Sequence, residues 1–153
     1  MTDADALARY AGYLEGLTPA RLAELDQYVA PQVRFADPFH DVTGVAAMRA
    51  VFAAMFETIP DVRFEVLASV GGGTASFLHW RFSGHLAGLG GRAILFEGTS
   101  VIRFDDHGRV SEHLDYWDSS GGLLQRFPLI GSVLRWLRRR VAATVRLPSG
   151  TPG

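Results

Sequence analysis

The chain has 153 residues, 48% apolar and 20% charged, ordinary values for one folded soluble domain. It has no cysteine, which excludes disulfides, thiolate chemistry and cysteine-ligated zinc, and no apolar run long enough to predict a membrane span. The net charge of −1 hides an asymmetry: residues 1–118 carry nine arginines and sixteen acids, a balance of −7, whereas residues 119–153 carry six arginines and no acid.

All fifteen basic residues are arginine, which with abundant alanine and glycine is the composition expected of a GC-rich bacterial genome. The opening "MTDADALARY" is acidic and lacks a basic stretch followed by an apolar core. No secretory signal is therefore expected, and the chain reads as cytoplasmic.

Leu7, Tyr10, Ala11, Leu14 and Leu17 recur at helical spacing and predict a first helix. Thr18-Pro19 then reads as an N-cap and first helical position, opening a second helix that buries Leu22, Leu25, Tyr28 and Val29 and ends at Pro31. "VRFADPF" is a short strand. "TG" at 43–44 opens a third helix, with Val45, Met48, Phe52, Met55 and Phe56 on its apolar side and Pro60 past its end. The period then changes. Residues 62–70, 74–86, 92–104 and 109–118 read as strands, separated by "GGG", "AGLGG" and "DDHG" turns. Helices segregated from an antiparallel meander predict an α+β fold: a curved antiparallel sheet packed on three N-terminal helices, with an internal pocket.

Residues 119–147 read as a basic amphipathic extension of two short helices, and 148–153 as a loose tail. The expected role of the extension is to close the pocket with its arginines on the wet side; the alternative is contact with an acidic partner or an anionic membrane surface. Nucleic-acid binding is not expected, because basic charge is confined to this segment.

Strand alternation places Asp37 on the face of Val33 and Phe35, so its carboxylate is either aimed inward or accepting backbone N–H groups in an Asp-Pro turn. His113, Asp115 and Trp117 share one face of the last strand; Phe96, Gly98 and Ser100 share one face of its neighbour. Either His113 and Asp115 line a polar pocket, or they face solvent while Leu114 and Tyr116 face the core. His79 and Arg81 are expected to face outward, opposite Leu78, Trp80 and Phe82. The five histidines show no metal-fixing spacing, and the glycine runs make no nucleotide-binding motif, so neither metal nor cofactor is expected.

The stretches "ARYAGYLEGL", "VRFADPFHDVTG", "VIRFDDHGRV" and "HLDYWD" resemble the ketosteroid-isomerase-like, or nuclear transport factor 2-like, superfamily, with SnoaL-like cyclases and limonene epoxide hydrolases among its members. The resemblance covers about residues 5–118, and we take 1–118 as that domain. It implies a cone of three helices and a curved sheet, and a homodimer through the sheet's outer face. It implies that Asp37 is a proton-shuttling base and that Tyr13, at the same spacing from it as in the isomerases, is an oxyanion donor. Ser100 stands where the isomerases have a protonated Asp, so their full site is absent. Asp115 is similar to an acidic residue of the epoxide hydrolases, but the Arg-x-Asp pair and the Asn of those enzymes are missing here.

The expected function is therefore cofactor-independent acid/base catalysis on a small hydrophobic molecule. Asp37 would be the base, Tyr13 and Ser100 would stabilise negative charge, and His113 and Asp115 would form an acid/base pair. Phe35, Phe52, Phe56, Phe96 and Trp117 would form the apolar wall. The alternative is a non-catalytic carrier using the same cavity.

Overall fold

Thr2 and Asp5 start the first helix by capping each other. The Thr2 hydroxyl accepts the Asp5 N–H at 3.2 Å, and the Asp5 carboxylate accepts the Thr2 N–H at 3.0 Å. The helix, α1 (Asp3–Glu15), buries Leu7, Tyr10, Tyr13 and Leu14. This comes from a computed structural model that describes residues 2–88, 90–122 and 139. Residues 1–118 form one unit and 119–153 a second. The expected C-terminal helices and tail lie outside the described residues except for a short helix, α3 (Ser119–Gly122), and a helical Arg139.

The second helix is 3-10 rather than α, spans Ala20–Gln27 and buries Leu22 and Leu25. Both the carbonyl and the hydroxyl of Thr18 accept the Arg21 N–H, an i+3 closure that favours the tighter winding. Eight residues so wound advance about 16 Å rather than about 12 Å. The segment ends early, and Val29 already belongs to strand β1 (Val29–Ala36). Pro31, expected as a helix stop, instead sits in the irregular stretch of β1 between Val29 and Arg34, where no ladder bond needs its missing N–H.

Residues 37–40 turn the chain into a strand not expected from the sequence, β2 (Asp41–Thr43), paired antiparallel with β1. Gly44 then takes φ 98°, a conformation that favours glycine, and opens α2 (Val45–Thr58), which buries Met48, Phe52 and Phe56.

Strands β3 (Arg63–Val70), β4 (Ser76–His85), β5 (Ala93–Phe104) and β6 (Val110–Trp117) form the expected antiparallel meander. β1 joins β6 in parallel, giving one six-stranded sheet of order β2-β1-β6-β5-β4-β3. The fold class is α+β, as read from the sequence. Register shifts in β1, β3 and β5–β6 bend the sheet.

β4 alternates cleanly: Ser76, Leu78, Trp80 and Phe82 are buried, while Phe77 and His79 are exposed. His79 and Arg81 face outward as expected, both paired with Glu97. Among the described residues no helix is long and apolar enough to cross a membrane.

Candidate active site

The inner face is built by register. Ser100 on β5 lies opposite Leu78 on β4 and Asp115 on β6, while His113 lies opposite Ile102 on β5 and Phe35 on β1. Two residues beyond the Phe35–His113 pair, Asp37 and Asp115 continue the same face, and both line an open cleft of about 390 Å3 at the strand ends, with Pro38 and Trp117 and with Arg34, Ala36, Leu114 and Tyr116 of the outer face. His113 and Asp115 therefore point inward, and Tyr116 is 60% exposed on the other face.

A continuous polar chain crosses this otherwise apolar interior. Ser100 Oγ accepts from the Trp80 indole N–H at 2.8 Å and donates to Asp115 Oδ1 at 2.5 Å. The same oxygen is 2.7 Å from His113 Nε2, whose Nδ1 is 2.8 Å from the Tyr10 hydroxyl. Ser100 and His113 are buried, and the Asp115 side chain is 17% exposed. Burial of such groups is tolerated when each is paired, and no described buried polar side-chain atom lacks a partner. Burial, followed by the Asp115 charge and Tyr13, pushes the Tyr10 phenol pKa well up.

Gly98 makes room for this chain. A Cβ there would lie 2.5 Å from the Trp80 ring and 2.9 Å from Trp117 Cβ. Only a glycine lets the indole lie across β5 and reach Ser100.

Asp37 occupies the turn position. Its Oδ1 accepts the N–H groups of Phe39 at 2.8 Å and His40 at 2.7 Å, and it lies 2.9 Å from His40 Nδ1. Its side chain is 14% exposed. Tyr13 does not join the polar chain. Its hydroxyl donates to the Arg21 carbonyl at 3.1 Å, and its ring stacks on Tyr28 at 4.1 Å beneath the Arg21 guanidinium. Burial pushes its pKa up to about 12. The expected grouping of Tyr13 and Ser100 as joint oxyanion donors is therefore not the arrangement found, because each hydroxyl is committed to a different acceptor.

Among the expected wall residues, Trp117 lines the cleft and stacks on Phe96 at 4.4 Å, with Phe39 edge-on at 5.7 Å. Phe35, Phe52 and Phe56 are buried, and Phe35 meets the rings of Phe52 and His113 edge-on at 5.3 and 5.1 Å. Sequence reasoning placed Ser100, His113 and Asp115 on one site but missed Tyr10 and Trp80, which read as ordinary core aromatics. Only the cross-strand register and the packing of α1 on the sheet disclose them. No cluster suited to a metal ion occurs among the described residues.

A mixed sheet packed with helices, and a buried His113 paired with the cleft-lining Asp115, define a small α+β protein with one polar cluster on its inner face. Residues 10–113 match the SnoaL-like domain, and the chain belongs to that family, within the nuclear transport factor 2-like fold. No curated protein sequence matches the chain.

Solved structures similar to it include a SnoaL-like polyketide cyclase from Agrobacterium tumefaciens strain C58, at 22% identity and TM-score 0.62, covering 77% of this chain and 92% of that one. A SnoaL-like family protein from the same organism, proposed as an isomerase, has 21% identity and TM-score 0.60, covering 74% of this chain and 95% of that one. A protein with a ketosteroid isomerase-like fold from Catenulispora acidiphila DSM 44928, in complex with trimethylamine, has 17% identity and TM-score 0.66, covering 79% of this chain and 90% of that one.

Proposed function

We propose that this chain is a cofactor-independent acid/base enzyme of the isomerase or cyclase type. It would move a proton at a carbon next to a carbonyl of a small apolar molecule held in the Asp37–Asp115 cleft. Asp115 takes the proton and returns it to a second position or to a cyclised product. His113 and Ser100 hold Asp115 in place, and Asp37 is the second carboxylate of the cleft. The observation that carries this reading is the convergence of Ser100 and His113 on one oxygen of Asp115, in a cleft walled by Trp117.

The sequence pointed to Asp37 for the base role. Its Oδ1 is already engaged by three turn donors, so the geometry favours Asp115. Paired variants separate the two. Wild type should exchange the α-protons of apolar β-diketones or cyclohexenones for deuterium in D2O, followed by NMR. Asp115→Asn should slow that exchange about 10²–10⁴-fold, and Asp37→Asn much less. Equal exchange in wild type and Asp115→Asn would remove the proposal for Asp115.

The second reading is a non-catalytic carrier. It is favoured by the engagement of Asp37 within its own turn and by the trimethylamine held by the Catenulispora relative. Saturable binding of an apolar ligand with no exchange and no product by mass spectrometry would select it. For either reading we propose a homodimer formed through the outer face of the sheet.

A further inference from the structure

We propose that Tyr10 and Trp80 are positioning residues, the two outer donors of a one-way hydrogen-bond chain that directs every proton of the site at Asp115 Oδ1 and leaves Oδ2 as the acceptor for a proton from the cleft. This rests on the reading of Asp115 as the base.

The chain's direction follows from its two ends. An indole nitrogen can only donate, so Ser100 Oγ accepts from Trp80, and the hydroxyl's own proton goes to Asp115 at 2.5 Å. An ionised carboxylate can only accept, so His113 Nε2, 2.7 Å from the same oxygen, carries a proton. In its neutral form His113 then has a bare Nδ1, which would take the proton of the Tyr10 hydroxyl 2.8 Å away. Tyr10 is 1% exposed, and its bond to His113 spans 103 residues of sequence. Both of these bonds to Asp115 run to Oδ1.

The groups that can perturb His113 are few. Tyr10 faces it from α1, with Tyr13 behind at 6.3 Å between ring centroids. Asp115 lies on its own strand, Asp37 borders the cleft beyond Asp115, and β1 and β5 oppose it with Phe35 and Ile102, which do not titrate.

Tyr10 thus holds the imidazole tautomer that makes His113 a donor to Asp115, and Trp80 does the same for the Ser100 hydroxyl. Removing either frees a proton to turn away and loosens the base without touching it.

The test is 15N NMR of the histidine rings in wild type, Tyr10→Phe and Trp80→Phe, read without substrate, together with pH–rate profiles of the exchange reaction. Wild-type His113 should carry its neutral-form proton on Nε2 alone. In Tyr10→Phe a second population protonated on Nδ1 should appear, the pH profile should shift, and kcat should fall about tenfold with KM changing less than about twofold. In Trp80→Phe the His113 tautomer should persist while the pH profile shifts.

A wild-type proton on Nδ1, or Tyr10→Phe with unchanged ring shifts and an unchanged profile, would overturn the proposal, whatever happens to melting temperature. If Tyr10→Phe does not fold, the wild-type spectrum and Trp80→Phe decide. Correct ring shifts in a protein that catalyses no exchange would leave the positioning geometry standing and fail the enzymatic reading instead.

Discussion

At the scale of single residues, the site depends on one missing side chain. Gly98 sits opposite Trp80 and Trp117, and a methyl there would meet the indole at 2.5 Å. Gly98→Ala must therefore push Trp80 off Ser100, costing about 1–3 kcal/mol in overpacking. Denaturant unfolding should show that loss. A change in tryptophan fluorescence should accompany it, because the indole N–H loses its partner.

Tyr13 makes a second prediction. Its phenol ionises near 10 when unfolded and at about 12 when folded, so the folded state holds the proton more tightly. That stabilisation is complete below about pH 10 and is lost as the pH rises through about 12. Absorbance titration near 295 nm should show Tyr10 and Tyr13 ionising late, and Tyr13→Phe should remove the component near pH 12.

Residue types and parity are legible in the chain: alternation groups His113 with Asp115 and Ser100 with Phe96 and Gly98, but it does not say which face is the inner one. Tyr10 was not legible as a partner, because its bond to His113 depends on where α1 crosses the sheet. Trp80 counted as core by parity, and nothing in a linear sequence reveals that its nitrogen overlies Gly98. Asp37 was left between two roles by the same alternation. Its turn bonds to Phe39 and His40 are local and were foreseeable from "ADPFH".

At the scale of elements, the differences from expectation are at boundaries. The 3-10 helix and β1 share a stretch where apolar residues fit either period, so Val29 read as helix although it pairs with Val110. β2 is only three residues long, too short for alternation to register.

The bulge in β3 ties these elements to α1. Beside the register shift between Val66 and Ala68, on this edge strand, the Val66 N–H donates to Glu15 Oε1 at 2.8 Å. Glu15→Ala strands that amide at a partly exposed position, with an expected cost of about 1 kcal/mol. Faster hydrogen exchange at Val66, with little change in the β4–β5 ladder, is the measurement that distinguishes local loosening from general destabilisation.

At the scale of the whole molecule, the sheet's outer face carries an apolar row. Register aligns Val70, Phe77, Val101, Leu114 and Ala36 across five strands, with Tyr116 alongside. Val70 is 68% exposed, Phe77 44% and Tyr116 60%, whereas the inner residues of the same strands are buried. Ion pairs border the row on both sides: Arg81 with Glu65 and Glu97, and Arg34 with Glu112 and Asp41.

An apolar strip rimmed by alternating charge is self-complementary under a two-fold axis, because each arginine can meet an acid of the second copy. A stable interface buries about 800 Å2 per partner, which a five-strand face can supply. The proposed homodimer should therefore dissociate in Phe77→Arg and more fully in Phe77→Arg with Tyr116→Arg, because both place like charge at the centre of the contact. Phe77 is exposed on the outer face and does not line the cleft, so the His113 ring shifts should persist in the Phe77→Arg monomer. Sedimentation equilibrium on wild type and both variants checks this, and a wild type that sediments as a monomer at every concentration tested would rule the sheet dimer out.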